Sequence, residues 1–136
     1  MAAAFNKEER AAMRAAVAEA KSAKEGADFE AACLAAIADM TGTDQELAQT
    51  FHELVTTQTD LRPKTWYGMP AYANADGKVV VFFQSSAKFK VRYATIGFQP
   101  DATLDEGNLW PTSFAVTKLT AADQKRLVAL LKKAVG

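Results

Sequence analysis

The chain has 136 residues, 49% hydrophobic and 24% charged, which sets one folded domain with a real core and excludes a disordered chain. Lys plus Arg and Asp plus Glu both number 16, and this neutral balance speaks against a general binder of nucleic acid or acidic membranes, with no nucleic-acid partner expected. One cysteine excludes an intramolecular disulfide, no apolar run approaches the ~20 residues of a membrane span, and residues 1–10 lack the pattern of a secretion signal, so a cytoplasmic protein is expected.

Residues 6–25 read as a helix. Asn6 and Glu9 have the spacing of a capping pair, and the alanine-rich run has high helix propensity. Only Met13 and Val17 are larger apolar residues, so the face buries little. Lys7, Arg10, Arg14, Lys21 and Lys24 are offset by Glu8, Glu9, Glu19 and Glu25, which describes a solvated face. The expected organisation is an Ala-rich N-terminal helix over 1–26, weakly docked or mobile, followed by a single domain over 27–136.

Gly26 breaks the pattern, and Asp28 is placed to cap a second helix running to about Met40. Phe29, Cys33, Ile37 and Met40, with Leu34 alongside, make one apolar stripe. Cys33 on that stripe reads as a small core residue, since no thiolate-stabilising neighbour is visible. Residues 41–44 form a turn, and Thr43 with Glu46 has the capping-box pattern. A third helix runs to about Thr59 with Leu47, Phe51, Leu54 and Val55 as its buried stripe. His52, the only histidine, sits beside that stripe as a boundary residue.

Pro63 ends the helical part. Residues 64–117 hold both Trp, all three Tyr and most of the Phe. Residues 64–67 read as a strand, Gly68-Met69-Pro70 as a tight bend and 71–73 as a resumed strand. Asn74-Ala75-Asp76-Gly77 is a hairpin turn, followed by the almost continuously apolar strand 78–84 (KVVVFFQ). Residues 90–97 (KVRYATIG) alternate as a further strand. A longer excursion leads to Trp110-Pro111-Thr112 and a last strand over 113–119. Thr120 with Asp123 caps a terminal helix striped with Leu127, Leu130, Leu131 and Ala134. The connections between strands are too short for helical crossovers. The fold class is therefore α+β: N-terminal helices, an antiparallel sheet of four to five strands and a C-terminal helix, with the helices packed on one face of the sheet.

The order Trp66-Tyr67-Gly68-Met69-Pro70-Ala71-Tyr72, Gly77-Lys78 with the apolar strand, Tyr93-Ala94-Thr95-Ile96-Gly97-Phe98, Leu104-Asp105-Glu106-Gly107 and Trp110-Pro111-Thr112 resembles the YdhG-like domain family. The resemblance covers roughly residues 28–135. It implies helices packed on an antiparallel sheet and supplies no catalytic residues. Some members of that bacterial family are described as frataxin-like intracellular iron chaperones, so iron is the metal the resemblance suggests.

Two kinds of site are open. Aromatic walls with a basic rim suit a small anionic molecule or a protein segment. Trp66, Tyr67, Met69, Tyr72, Lys88, Lys90, Tyr93 and Trp110 are the candidates for such a groove on the sheet. Hard carboxylates suit weakly held Fe(II), and Asp101, Asp105 and Glu106 are the candidates there, with Asp76 and His52 more remote. No GxSxG, HExxH, CxxC, Walker A or GxGxxG motif is present, so a binding protein is favoured over an enzyme. The expected state is a monomer or weak homodimer.

Overall fold

The computed structural model describes residues 6–24 and 28–136. Its elements run α1 (Lys7–Lys24), α2 (Phe29–Ala38), α3 (Gly42–Gln58), β1 (Arg62–Trp66), β2 (Met69–Ala73), β3 (Val79–Gln84), β4 (Ala94–Phe98), β5 (Ser113–Val116) and α4 (Ala121–Ala134). The five strands form one antiparallel sheet in the order β1-β2-β3-β4-β5. This is the α+β class expected from the pattern. Among the described residues no helix is long and apolar enough to cross a membrane.

Local chemistry sets three of the helix starts. The Glu9 N–H donates to Asn6 Oδ1 at 2.7 Å and the Asn6 N–H donates back to Glu9 Oε1 at 3.2 Å, a reciprocal cap on α1. Asp28 accepts from the Ala31 N–H to start α2, and Thr120 with Asp123 forms a full capping box on α4. Gly26, read as the break between the first two helices, lies outside the described residues. The Thr43–Glu46 box expected for α3 is not formed. That helix begins two residues earlier, at Gly42, after Thr41 with no side-chain cap, and Asp44 is turned towards the loop after β3.

Period-two alternation sorts the sheet residues. Tyr72, Val81 and Phe98 lie opposite one another across β2, β3 and β4, and Phe83, Ile96 and Phe114 across β3, β4 and β5. These residues join Cys33, Ile37, Leu47, Phe51, Val55, Leu127 and Leu131 in one hydrophobic cluster, with Phe114 packed at its margin. Phe51 is central, with its ring centroid 5.5 Å from Tyr72 and 6.1 Å from Phe83. Burying each such side chain stabilises the fold by about 1.5–3 kcal/mol. Phe29 and Leu34, assigned to the α2 stripe by spacing, are exposed instead. Alternate positions put Ala71, Phe82 and Gly97 in a row of the opposite parity.

Strand boundaries differ from the pattern at several places, and β1, expected over 64–67, spans Arg62–Trp66. β4 starts at Ala94, not at residue 90, because the preceding segment is drawn into a turn. Asp44, buried at the start of α3, accepts from the Ser86 N–H at 2.8 Å, the Ser86 hydroxyl at 2.9 Å and the Ala87 N–H at 3.2 Å. Lys90 in that turn adopts φ 55°. The bend expected at 68–70 is a two-residue turn at Tyr67-Gly68, and Pro70 lies inside β2 opposite Thr65. Pro70 is tolerated there because the β2–β3 pairing begins only at Ala71. β5 ends at Val116, short of residue 119.

Candidate functional site

The β1–β2 turn organises the most developed surface feature. Tyr67 and Gly68 both have positive φ, 52° and 79°, as a two-residue hairpin that follows the sheet twist requires. Gly68 suits this backbone; a tyrosine in the left-handed region costs roughly 1–2 kcal/mol. The turn is clamped from α1. Glu19 Oε1 accepts the Tyr67 N–H at 2.8 Å and Oε2 accepts the Gly68 N–H at 3.0 Å. A side chain at Gly68 would also meet Lys88 Nζ at 3.1 Å and Ala15 Cβ at 3.3 Å, so α1 and the loop after β3 both close on this glycine. Burial holds the Lys88 amine below its ordinary pKa, and the nearby Glu19 charge opposes that shift.

Beside the turn, a groove of about 710 Å³ runs between α1, α2 and β1. Alanines of both helices line it, together with Glu19, Asp39, Phe29, Lys64, Trp66 and Tyr67. Trp66 packs edge-on against Tyr67 with centroids 4.9 Å apart, and against Phe82 at 5.3 Å. Lys64 Nζ lies 5.6 Å from the centre of the Phe29 ring. Tyr67 is 41% exposed. The groove combines small apolar residues, two aromatic rings packed edge to face, the Lys64 cation and the carboxylates of Glu19 and Asp39, so Lys64 is its one group suited to an anionic end.

The eight residues expected to line a groove on the sheet do not share one surface. Trp66 and Tyr67 line the helix–strand groove, with Lys88 against its turn. Lys90 is held at 3.0 Å by Glu8 of α1. Met69 and Tyr72 are buried. Tyr93 lies under the Arg92 guanidinium, 5.3 Å away, and Trp110 packs on the margin of the core. The groove sits between helices and the edge strand, not on the sheet face. Glu19 and Phe29 belong to it and were not assigned to it by pattern. Phe29 had the spacing of a core residue, and the 48 positions between Glu19 and Tyr67 leave no local signal of their contact.

Asp101, Asp105 and Glu106 are all exposed on the segment after β4, and Glu106 lies 3.6 Å from Lys133 Nζ. Among the described residues no group of three or more His, Cys, Asp or Glu is placed to hold a metal ion.

A second polar arrangement lies inside the core. Cys33 of α2, His52 of α3 and Tyr72 of β2 converge. The Tyr72 hydroxyl is 2.9 Å from His52 Nδ1, and the Cys33 thiol is 3.9 Å from both. Burial raises the thiol pKa to about 11, raises that of Tyr72 and lowers that of His52. All three groups are therefore neutral at pH 7, and the thiol is no nucleophile there. The arrangement satisfies buried polar groups; spacing alone had left Cys33 and His52 on separate helices with no inferred contact.

No family model matches the chain, and no curated protein or solved structure matches it; the resemblance to the YdhG-like family rests on the order of its motifs.

Proposed function

We propose that this is a small cytoplasmic binding protein of the YdhG-like type, which takes an apolar or aromatic group of a small molecule or protein segment into the groove between α1, α2 and β1. Trp66 and Tyr67 supply the flat walls, and Lys64 receives the anionic end. The observation that carries this reading is Tyr67 itself. Its backbone is held in a region that asparagine or glycine would occupy with less strain, while its ring is presented to solvent against Trp66. Strained backbone tends to collect at functional surfaces, and an exposed aromatic kept at such a position supports this reading.

The test uses Trp110→Phe, which leaves Trp66 as the sole tryptophan. Aromatic carboxylates and short peptides with aromatic carboxy-terminal residues are titrated while its emission is followed. A saturable change that weakens at least about tenfold in Lys64→Ala and in Tyr67→Gly is the expected result. Ligands that bind both variants with unchanged affinity would place the site elsewhere and overturn the reading.

A further inference from the structure

The two edges of the sheet are treated differently. β1 carries Arg62, Pro63 and Lys64, and α2 packs against it with α1 nearby. Proline, charge and a covering helix are the usual means of keeping an edge from pairing. β5, Ser-Phe-Ala-Val, carries neither proline nor charge, and among the described residues no strand lies on its outer side.

The hydrogen-bonding parity of β5 can be read from its neighbour. The Phe98 N–H donates to the Thr112 carbonyl at 2.7 Å, and Ile96 stands opposite Phe114. Thr112, Phe114 and Val116 therefore direct their backbone groups towards β4. Ser113, Ala115 and Thr117 direct theirs outwards, and all three are exposed and uncharged.

We infer that β5 is a homodimer edge: two copies of the chain pair antiparallel about a twofold axis at Ala115. This is independent of the ligand groove, which lies at the β1 side of the sheet. In that register Ala115 exchanges both backbone hydrogen bonds with its symmetry mate. Ser113 faces Thr117 of the second copy, and Phe114 faces Val116. An aromatic against a β-branched residue at a close, non-hydrogen-bonded position is a favourable cross-strand pair. Phe114 and Val116 both line a groove of about 310 Å³ between β5 and α4, which the Phe114 side chain of the second copy would enter. The groove walls also carry Lys118, Asp123 and Arg126, so a second copy meets both signs of charge. With a net charge of zero, two copies approach without mutual repulsion. The register sets no like charges opposite each other along residues 113–117. A second copy fits these features better than a foreign strand because the sequence is complementary to itself about Ala115.

The full-length chain is taken through a concentration series by analytical ultracentrifugation. A reversible dimer is expected. Ala115→Pro should weaken it by about 100-fold, since two central hydrogen bonds are lost. The same change leaves β4–β5 pairing intact because the Ala115 N–H points outwards, and an unchanged circular dichroism spectrum and melting temperature confirm that the variant folds. The register is read by cysteine pairing. Cα atoms of a hydrogen-bonded antiparallel pair are ~5.5 Å apart, within disulfide range. Ala115→Cys should therefore cross-link rapidly under mild oxidation. Ser113→Cys, whose copies would lie roughly 14 Å apart, should not. A monomer at millimolar concentration, a dimer indifferent to Ala115→Pro, or equal cross-linking of the two cysteine variants would each overturn the inference.

Discussion

Glu19 accepts the backbone N–H of Gly68, 49 positions along the chain, at 3.0 Å, and accepts the N–H of Tyr67 with its other oxygen. A carboxylate holding two amides ties α1 to the β1–β2 turn, while Ala12 of α1 is buried and Glu8 pairs with Lys90 in the loop before β4. Glu19→Ala should cost about 1–2 kcal/mol, less than two buried charged hydrogen bonds, because water can replace the carboxylate in part. Hydrogen exchange should show the loss concentrated in α1 and at the β1–β2 turn. Uniform loss across the sheet would contradict the local role.

Tyr67 separates strain from contact. Tyr67→Gly relieves a left-handed backbone worth roughly 1–2 kcal/mol and gives up an aromatic pair worth about 0.5–1.5 kcal/mol, so urea melts should shift by less than about 1 kcal/mol. Tyr67→Val keeps the strain, adds β-branching and loses the ring. It should be at least about 2 kcal/mol less stable than Tyr67→Gly. If valine and glycine prove equal, the backbone at this position is not strained.

The Phe82 ring fills the space where Gly97 would carry a side chain: a Cβ there would collide with Phe82 Cζ. Gly97→Ala should destabilise by about 1–3 kcal/mol through overpacking. Phe82→Ala removes the obstacle, and the double variant should be less destabilised than the two single changes added together. A strictly additive cycle would mean that the ring moves aside freely.

His52 predicts a pH dependence with a definite sign. Burial holds its pKa below the ordinary 6.5, with the charge of Glu30 opposing. Below that ordinary value the unfolded chain binds a proton that the folded chain resists. The stability from the neutral imidazole is therefore complete above pH 6.5 and is lost as pH falls towards the folded-state pKa. His52→Gln, which has no titrating group, should flatten the melting temperature against pH in that window. An identical slope in the variant would assign the dependence to carboxylates.

What could be read from sequence divides along range of interaction. The caps at Asn6, Asp28 and Thr120 were legible because donor and acceptor lie three residues apart. So were the apolar strand at β3 and the Asp76-Gly77 hairpin. The early end assigned to the loop before β4 failed because Asp44 reaches across 42 positions to Ser86 and holds that segment as a turn. Trp66 and Tyr67, site candidates by composition, both line the groove beside α1. Tyr72 was not separable from them, since only the register opposite Val81 puts its ring in the core beside Phe51. The groove itself depends on α1 docking, which its small apolar face gave little reason to expect.

Cys33 is the only thiol in the chain and is fully buried where α2, α3 and β2 meet. An alkylating reagent in solution can therefore reach sulfur only when that junction comes apart. Its labelling rate counts opening events at one defined place, with no probe introduced. Where closing outruns the chemical step, the ratio of that rate to the rate for an unstructured thiol is the equilibrium constant for opening. The native chain thus carries its own clock for the separation of its helices from its sheet.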